Sequence, residues 1–161
     1  MALNTTMIQR IQSIYLFLAG VLIFALYLFP LAHNVELNGI LTTIKVTGLY
    51  QMVNGQETHT EVFVALTAVT AIIGLIPLIV IFLYKNRKKQ ITFCYSAILV
   101  IIGYSFWMAQ TVKGVTGGIT IGTNNMGIGL FLSSLSIVML IFAAKAIQRD
   151  EKLVRSADRL R

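Results

Sequence analysis

Lys85-Asn86-Arg87-Lys88-Lys89-Gln90 places four cations within six residues, between two long apolar runs. The stretch is too short to be a domain and too charged to lie in hydrocarbon. It reads as a tight turn at a membrane face. Membrane proteins concentrate Lys and Arg in their cytoplasmic loops, so that face is expected to be cytoplasmic. One apolar segment then runs into the turn and the next runs back from it.

Composition supports this. Of 161 residues, 57% are hydrophobic and 12% charged, far from the balance of a soluble domain. The net charge of +7 is unevenly placed: only Lys45 and Lys113 fall outside segments assigned to the cytoplasm, while Glu36, Glu57 and Glu61 lie in outer ones. Nucleic acid is a poor partner for cations that flank apolar spans instead of interleaving with aromatics on one surface. The single cysteine, Cys94, excludes an intramolecular disulfide.

The expected fold is an all-α membrane protein: a four-transmembrane-helix bundle with small β-rich extracytoplasmic loops, forming one domain over residues 1–161. Spans are expected at about 11–32, 62–84, 91–112 and 126–144. Outer loops take 33–61 and 113–125, the cytoplasmic turn 85–90, and a cytoplasmic helical tail 145–161. No charged side chain occurs between Ile14 and Ala32, and about 19 helical residues cover roughly 30 Å of hydrocarbon. A cleaved signal peptide is the competing reading, but the apolar run is too long and lacks a small-x-small site. Tyr15, Tyr27, Tyr95 and Trp107 fall near span ends, where aromatic anchors prefer to lie.

Both outer loops carry strand signals. Asn38-Gly39 is a hairpin turn dipeptide, and in residues 40–47 Ile40, Thr42, Ile44 and Val46 alternate with Thr43, Lys45 and Thr47. Asn54-Gly55 marks a second turn, and Gly117-Gly118 sits between β-branched residues in the second loop. One antiparallel sheet, shared by both loops, is expected above the helices. Ile44 and Val46 should face the membrane and Lys45 the water. The exposed edge of such a sheet is a docking site for another chain.

Helix contacts in lipid favour small residues. Ala65, Ala68, Ala71 and Gly74 form one stripe, and Gly129, Ser133 and Ser136 form another. The two are expected to face each other within one chain, with a dimer seam as the alternative. Pro77 should bend the second span. The tail after Gln148 has no Gly or Pro, and its apolar stripe of Ile147, Leu153, Val154, Ala157 and Leu160 is interrupted at Asp150. It either lies on anionic headgroups, docks on a partner, or stands solvated.

No ionisable residue falls at the centre of a span, which argues against a proton-coupled pump or an intramembrane protease. The weak metal candidates are His33, Glu57, His59 and Glu61. In an extended strand the last three would share a face, but their spacing is no specific ligand motif. No metal, cofactor or catalytic residue is assigned.

Two stretches carry a family resemblance: Met7-Ile8-Gln9-Arg10-Ile11-Gln12-Ser13-Ile14-Tyr15-Leu16, and Asp150-Glu151-Lys152-Leu153-Val154-Arg155-Ser156-Ala157-Asp158-Arg159-Leu160-Arg161. With four spans in this length, they resemble an uncharacterised family of Bacteroidetes integral membrane proteins catalogued as a domain of unknown function. The resemblance implies a multi-pass protein of the bacterial inner membrane, and Met7 as the usual start. It supplies no activity or site residues. From the residues themselves, N and C termini are expected in the cytoplasm.

The expected function is that of a structural or accessory subunit rather than an enzyme. It would contact membrane lipid and hold a protein partner in the membrane or periplasm, with no nucleic acid bound. A small carrier or channel for an uncharged or apolar solute is the first alternative, and an enzyme with an outer-loop metal is the second.

Overall fold

The computed structural model describes residues 3–37, 39–53, 55–117 and 122–159. Helix α1 (Leu3–Phe24) tightens into a 3-10 turn at Ala25–Tyr27. Four strands follow: β1 (Ala32–Leu37), β2 (Ile40–Lys45), β3 (Gly48–Val53) and β4 (Gln56–Val62). Then come α2 (Val64–Ile81), α3 (Arg87–Val115) and α4 (Gly129–Arg159). The strands form one antiparallel sheet in the order β1-β2-β3-β4. An all-α four-transmembrane-helix bundle is therefore not what this chain builds: it combines four helices with a four-stranded sheet.

Three helices are long and apolar enough to cross a membrane: Val64–Ile81, Arg87–Val115 and Gly129–Val154. The first expected span, 11–32, does not continue as one helix. The helical part stops at Tyr27, because Pro30 has no backbone donor and Ala32 already pairs in β1. The other expected boundaries move as well. Val62 belongs to β4, so α2 begins two residues late. Helix α3 starts inside the basic turn at Arg87, where the Asn86 side chain accepts a bond from Lys89 N at 3.2 Å. Helix α4 runs unbroken through the tail to Arg159, as its lack of Gly and Pro implied.

The sheet comes from the first loop alone. Two hairpins lie side by side, with Gly39 and Gly55 both at φ 81 in their turns, a conformation that glycine adopts without penalty. The second loop adds one bridge, Ala32 to Met126, and a bond from Asn125 Nδ2 to Asn34 O at 2.7 Å. Asn34, at φ 51, sits where the β1–β2 register shifts. The expected Gly117-Gly118 hairpin falls mostly at 118–121, outside the described residues.

Alternation from β2 into Val46 divides the side chains between a buried face and an open one. Thr42, Ile44 and Val46 are fully buried, while Lys45 reaches out to Glu57 at 3.8 Å and over the Tyr50 ring at 4.5 Å. Ile40, at the start of the strand, lies beyond the covered area and is exposed. Sheet and helices are pinned at α2, where Phe63 N donates to Thr47 O and Thr67 Oγ1 to Val46 O. Below the sheet the helices form a ring. Helix α1 packs on α2 and α4, and α3 packs on the same two.

The small stripes do not face each other. Ala65 and Ala68 are exposed and Ala71 is half-buried, while Gly74 receives the Phe24 ring of α1. Ser136 Oγ donates to Ala19 O at 2.9 Å, and Gly129 lies against Pro30. One member of each stripe, Gly74 and Ser136, therefore meets α1, because α1 packs on both α2 and α4. At Gly127 a Cβ would stand 2.0 Å from Pro30 O. Gly127→Ala should lower unfolding stability by about 1–3 kcal/mol in detergent melts. Gly103→Ala, with open space at its Cβ, should change it by less than about 1 kcal/mol. Equal melting of the two variants would contradict the close crossing.

Candidate functional site

The polar residues singled out in the first loop are dispersed by the sheet. His33 lies on β1 and Glu57, His59 and Glu61 lie on β4, at opposite margins of the order β1-β2-β3-β4. Three strand spacings separate them, about 14 Å. Within β4, Tyr50 pairs with His59 but Leu49 with Glu61, so the register shifts there. The bulge interrupts the alternation that would have put three ligands on one face. His59 stacks on Tyr50 with centroids 4.5 Å apart, and Glu57 pairs with Lys45. Among the described residues no three His, Cys, Asp or Glu side chains gather to hold a metal.

The opposite end of the helices carries a denser polar construction. Arg87, Lys88 and Lys89 occupy the first turn of α3 with no acidic residue beside them. That is the wrong sign for a helix N-terminus, whose unpaired N–H groups carry partial positive charge. Asp150 of α4 offsets it: its Oδ2 lies 3.0 Å from Arg87 Nη2, and Arg87 Nη1 donates to Asp150 O at 3.4 Å. The Asp150 side chain is 1% exposed and that of Arg87 22%. The contact is one of charge without good alignment, because neither carboxylate oxygen has a hydrogen-bond partner among the described residues.

Two buried glutamines share this layer. Gln12 Nε2 donates to Ala146 O at 3.3 Å, and Gln90 Nε2 to Val80 O at 3.1 Å. The Gln90 Oε1 atom has no partner among the described residues. Nearer the surface, Gln148 Nε2 donates to Tyr95 OH at 3.0 Å. The four cations of 85–89 thus divide: Arg87 turns inward to α4, whereas Lys85, Lys88 and Lys89 are exposed.

Clefts open on either side of α4 here. One, of about 510 Å³, lies between the basic turn and Glu151 and Val154. The other, of about 620 Å³, lies between α1 and α4 and has an apolar floor beneath Lys145 and Arg149. The burial of Asp150 and Gln90 is what sequence reasoning missed. The available signal was Asp150 itself, a carboxylate interrupting the apolar stripe of the tail.

The pair should respond asymmetrically to truncation. Arg87→Ala leaves a buried carboxylate without its counter-charge and should cost about 3–5 kcal/mol. Asp150→Ala leaves an arginine that can turn to water, and should cost less, about 1–3 kcal/mol. Denaturation of both variants in one detergent checks the order. A larger loss for Asp150→Ala would mean that Arg87, not Asp150, is the group that depends on the contact.

No curated protein matches the chain. A family model described as a domain of unknown function, DUF4293, matches residues 8–160, taking in all of the four strands, α2, α3, the Arg87–Asp150 contact and both clefts. The chain belongs to this family of domains of unknown function.

Proposed function

We propose that the protein is a multi-pass accessory subunit of the bacterial inner membrane, of the kind its resemblance to Bacteroidetes membrane proteins implies. In this reading the basic end and both termini face the cytoplasm, and the sheet stands on the periplasmic side. Its role is to hold a protein partner, not to catalyse a reaction.

Membrane insertion is supported by what covers the helices. Leu99, Phe106, Ile72 and Phe131 are between 62% and 71% exposed, and a band of such side chains in water would drive aggregation. The exposed hydroxyls of α3 agree with lipid contact. Those of Thr92, Ser96 and Thr111 each bond a carbonyl four residues back, which spares them an unsatisfied donor in hydrocarbon. Orientation is supported by the cations of 85–89, together with Lys145, Arg149 and Lys152, lying at the end opposite the sheet.

The observation that carries the partner role is β4. All seven of its residues are exposed and it is a terminal strand, whereas β1 at the other margin is tied to the second loop by the Ala32–Met126 bridge. An uncovered terminal strand offers main-chain donors and acceptors to an extended segment. Glu57 and Glu61 along it discourage pairing with a second copy of the same acidic strand.

A photo-crosslinking residue at Thr60 should capture one discrete protein in intact cells. Adducts to lipid alone, or to another copy of the chain alone, would exclude that role for β4. Orientation has its own readout. In a Cys94→Ala background, Thr58→Cys should react with an impermeant maleimide on intact cells and Ser156→Cys should not, and the reverse pattern overturns the topology.

A further inference from the structure

The larger of the two clefts at the basic end has a composition that specifies a ligand. Ile11 and Tyr15 of α1 and Phe142 of α4 form its apolar part, with the Tyr15 and Phe142 rings 5.8 Å apart and tilted by 49°. Lys145 and Arg149, one turn apart on α4, are exposed at its margin. Neither forms an ion pair among the described residues, so both cations are available to a ligand. Asp150 completes the wall. Its side chain is 1% exposed, and its Oδ1 atom has no hydrogen-bond partner among the described residues.

These groups ask for three things in one molecule. The apolar wall takes an acyl chain. The two cations take a phosphate, whose oxygens arginine and lysine both recognise. The Asp150 carboxylate, closed off in this structure, takes a donor when a small side-chain rotation turns it to the cleft it lines, and in a site with little water that bond is strong.

Charge decides what kind of donor. Arg87 already stands 3.0 Å from the other carboxylate oxygen, so an ammonium on Oδ1 would sit beside a guanidinium. A neutral hydroxyl has no such penalty. The charges around the cleft agree: Arg87, Lys145 and Arg149 against Asp150 leave two positive charges over, which favours a ligand with net negative charge. An ethanolamine headgroup is zwitterionic and fails on both counts. A choline headgroup also lacks any donor.

We infer that this cleft binds an anionic glycerophospholipid with a hydroxylated headgroup, its phosphate between Lys145 and Arg149 and its hydroxyl on Asp150. The inference rests on the membrane reading above, and it gives that reading a specific lipid class. It also accounts for a carboxylate placed among cations and left half-satisfied by the protein.

The test uses two lipids of equal charge that differ in the hydroxyls. The full chain is reconstituted in phosphatidylcholine nanodiscs doped with either phosphatidylglycerol or phosphatidylmethanol, and lipid retained by the protein is counted by native mass spectrometry. Phosphatidylglycerol should be retained about tenfold better, the effect expected of one hydrogen bond to a charged acceptor. Lys145→Gln with Arg149→Gln should lose both lipids. Arg87→Met with Asp150→Leu removes one charge of each sign and should keep binding but lose the preference. Should that double variant not fold, the comparison in the unaltered chain still decides.

Equal retention of the two lipids by the unaltered chain overturns the proposal, as does a preference that survives in Arg87→Met, Asp150→Leu. Competition by glycerol 1-phosphate as strong as that by the lipid would move the ligand to a soluble phosphoester and overturn the lipid assignment. Failure of the chain to enter nanodiscs is a separate result, and it would sink the membrane reading along with this one.

Discussion

Three backbone hydrogen bonds at Pro30 and Leu31 hold the parts of this molecule together. Leu31 N donates to Ile44 O at 2.8 Å, Gly127 N to Leu31 O at 2.9 Å, and Gly129 N to Pro30 O at 2.9 Å. They join the end of α1, the second strand of the sheet and the start of α4 at one crossing. Helix α1 cannot continue past this point, because proline offers no donor and the next peptide is committed to the sheet. Helix α4 cannot begin elsewhere, since its first turns lean on the Pro30 carbonyl. Glycine at 127 follows from the same crossing, where any Cβ would strike that carbonyl. The end of the first helical segment at Tyr27 is thus a consequence of how the sheet is attached.

Much of this was legible in the chain, and what was missed has physical causes. Periodicity disclosed β2, since its alternation reflects a buried and a solvated face. Strands β3 and β4 lacked that signal. Gly48-Leu49-Tyr50-Gln51-Met52-Val53 does not alternate cleanly, and Gln56 to Val62 is polar throughout because the whole strand is exposed. Their pairing is created by the neighbours and by the Gly55 turn, not by their own composition. Gly48, at φ 151 and pressed against the Glu61 carbonyl, reads in sequence as a strand terminator. In the fold it begins one.

Helix pairing was hidden for a different reason. A small stripe says that something approaches closely but not which helix it is. Ser133 and Ser136 are expected from sequence to meet α2, yet it is α1 that receives Ser136 and, on the other side, Gly74. The ring of contacts, α1 to α2 to α3 to α4 and back to α1, follows from chain order once α1 and α4 are locked at the Pro30 crossing. Gly74 shows the resulting fit, with the Phe24 ring seated where a side chain would otherwise stand.

The far end of the helices solves an electrostatic problem that the turn sequence creates. Starting α3 at Arg87 sets three cations against the positive end of its dipole, and a carboxylate is needed nearby. The chain supplies it from α4, 63 residues away, so the arrangement joins the two helices as well as neutralising one of them. Burying Asp150 for this purpose has a cost in desolvation that a single imperfectly aligned arginine does not cover. The unmatched Gln90 Oε1 close by on the same buried face of α3 adds to it. A soluble protein would relieve such groups with bulk water. In the membrane reading proposed above, the molecules within reach at this end are headgroups, and a phosphate diester carrying a hydroxyl matches both the leftover positive charge and the leftover acceptor. On the lipid proposal above, the unpartnered carboxylate at the Arg87–Asp150 contact would be one half of an interface with lipid.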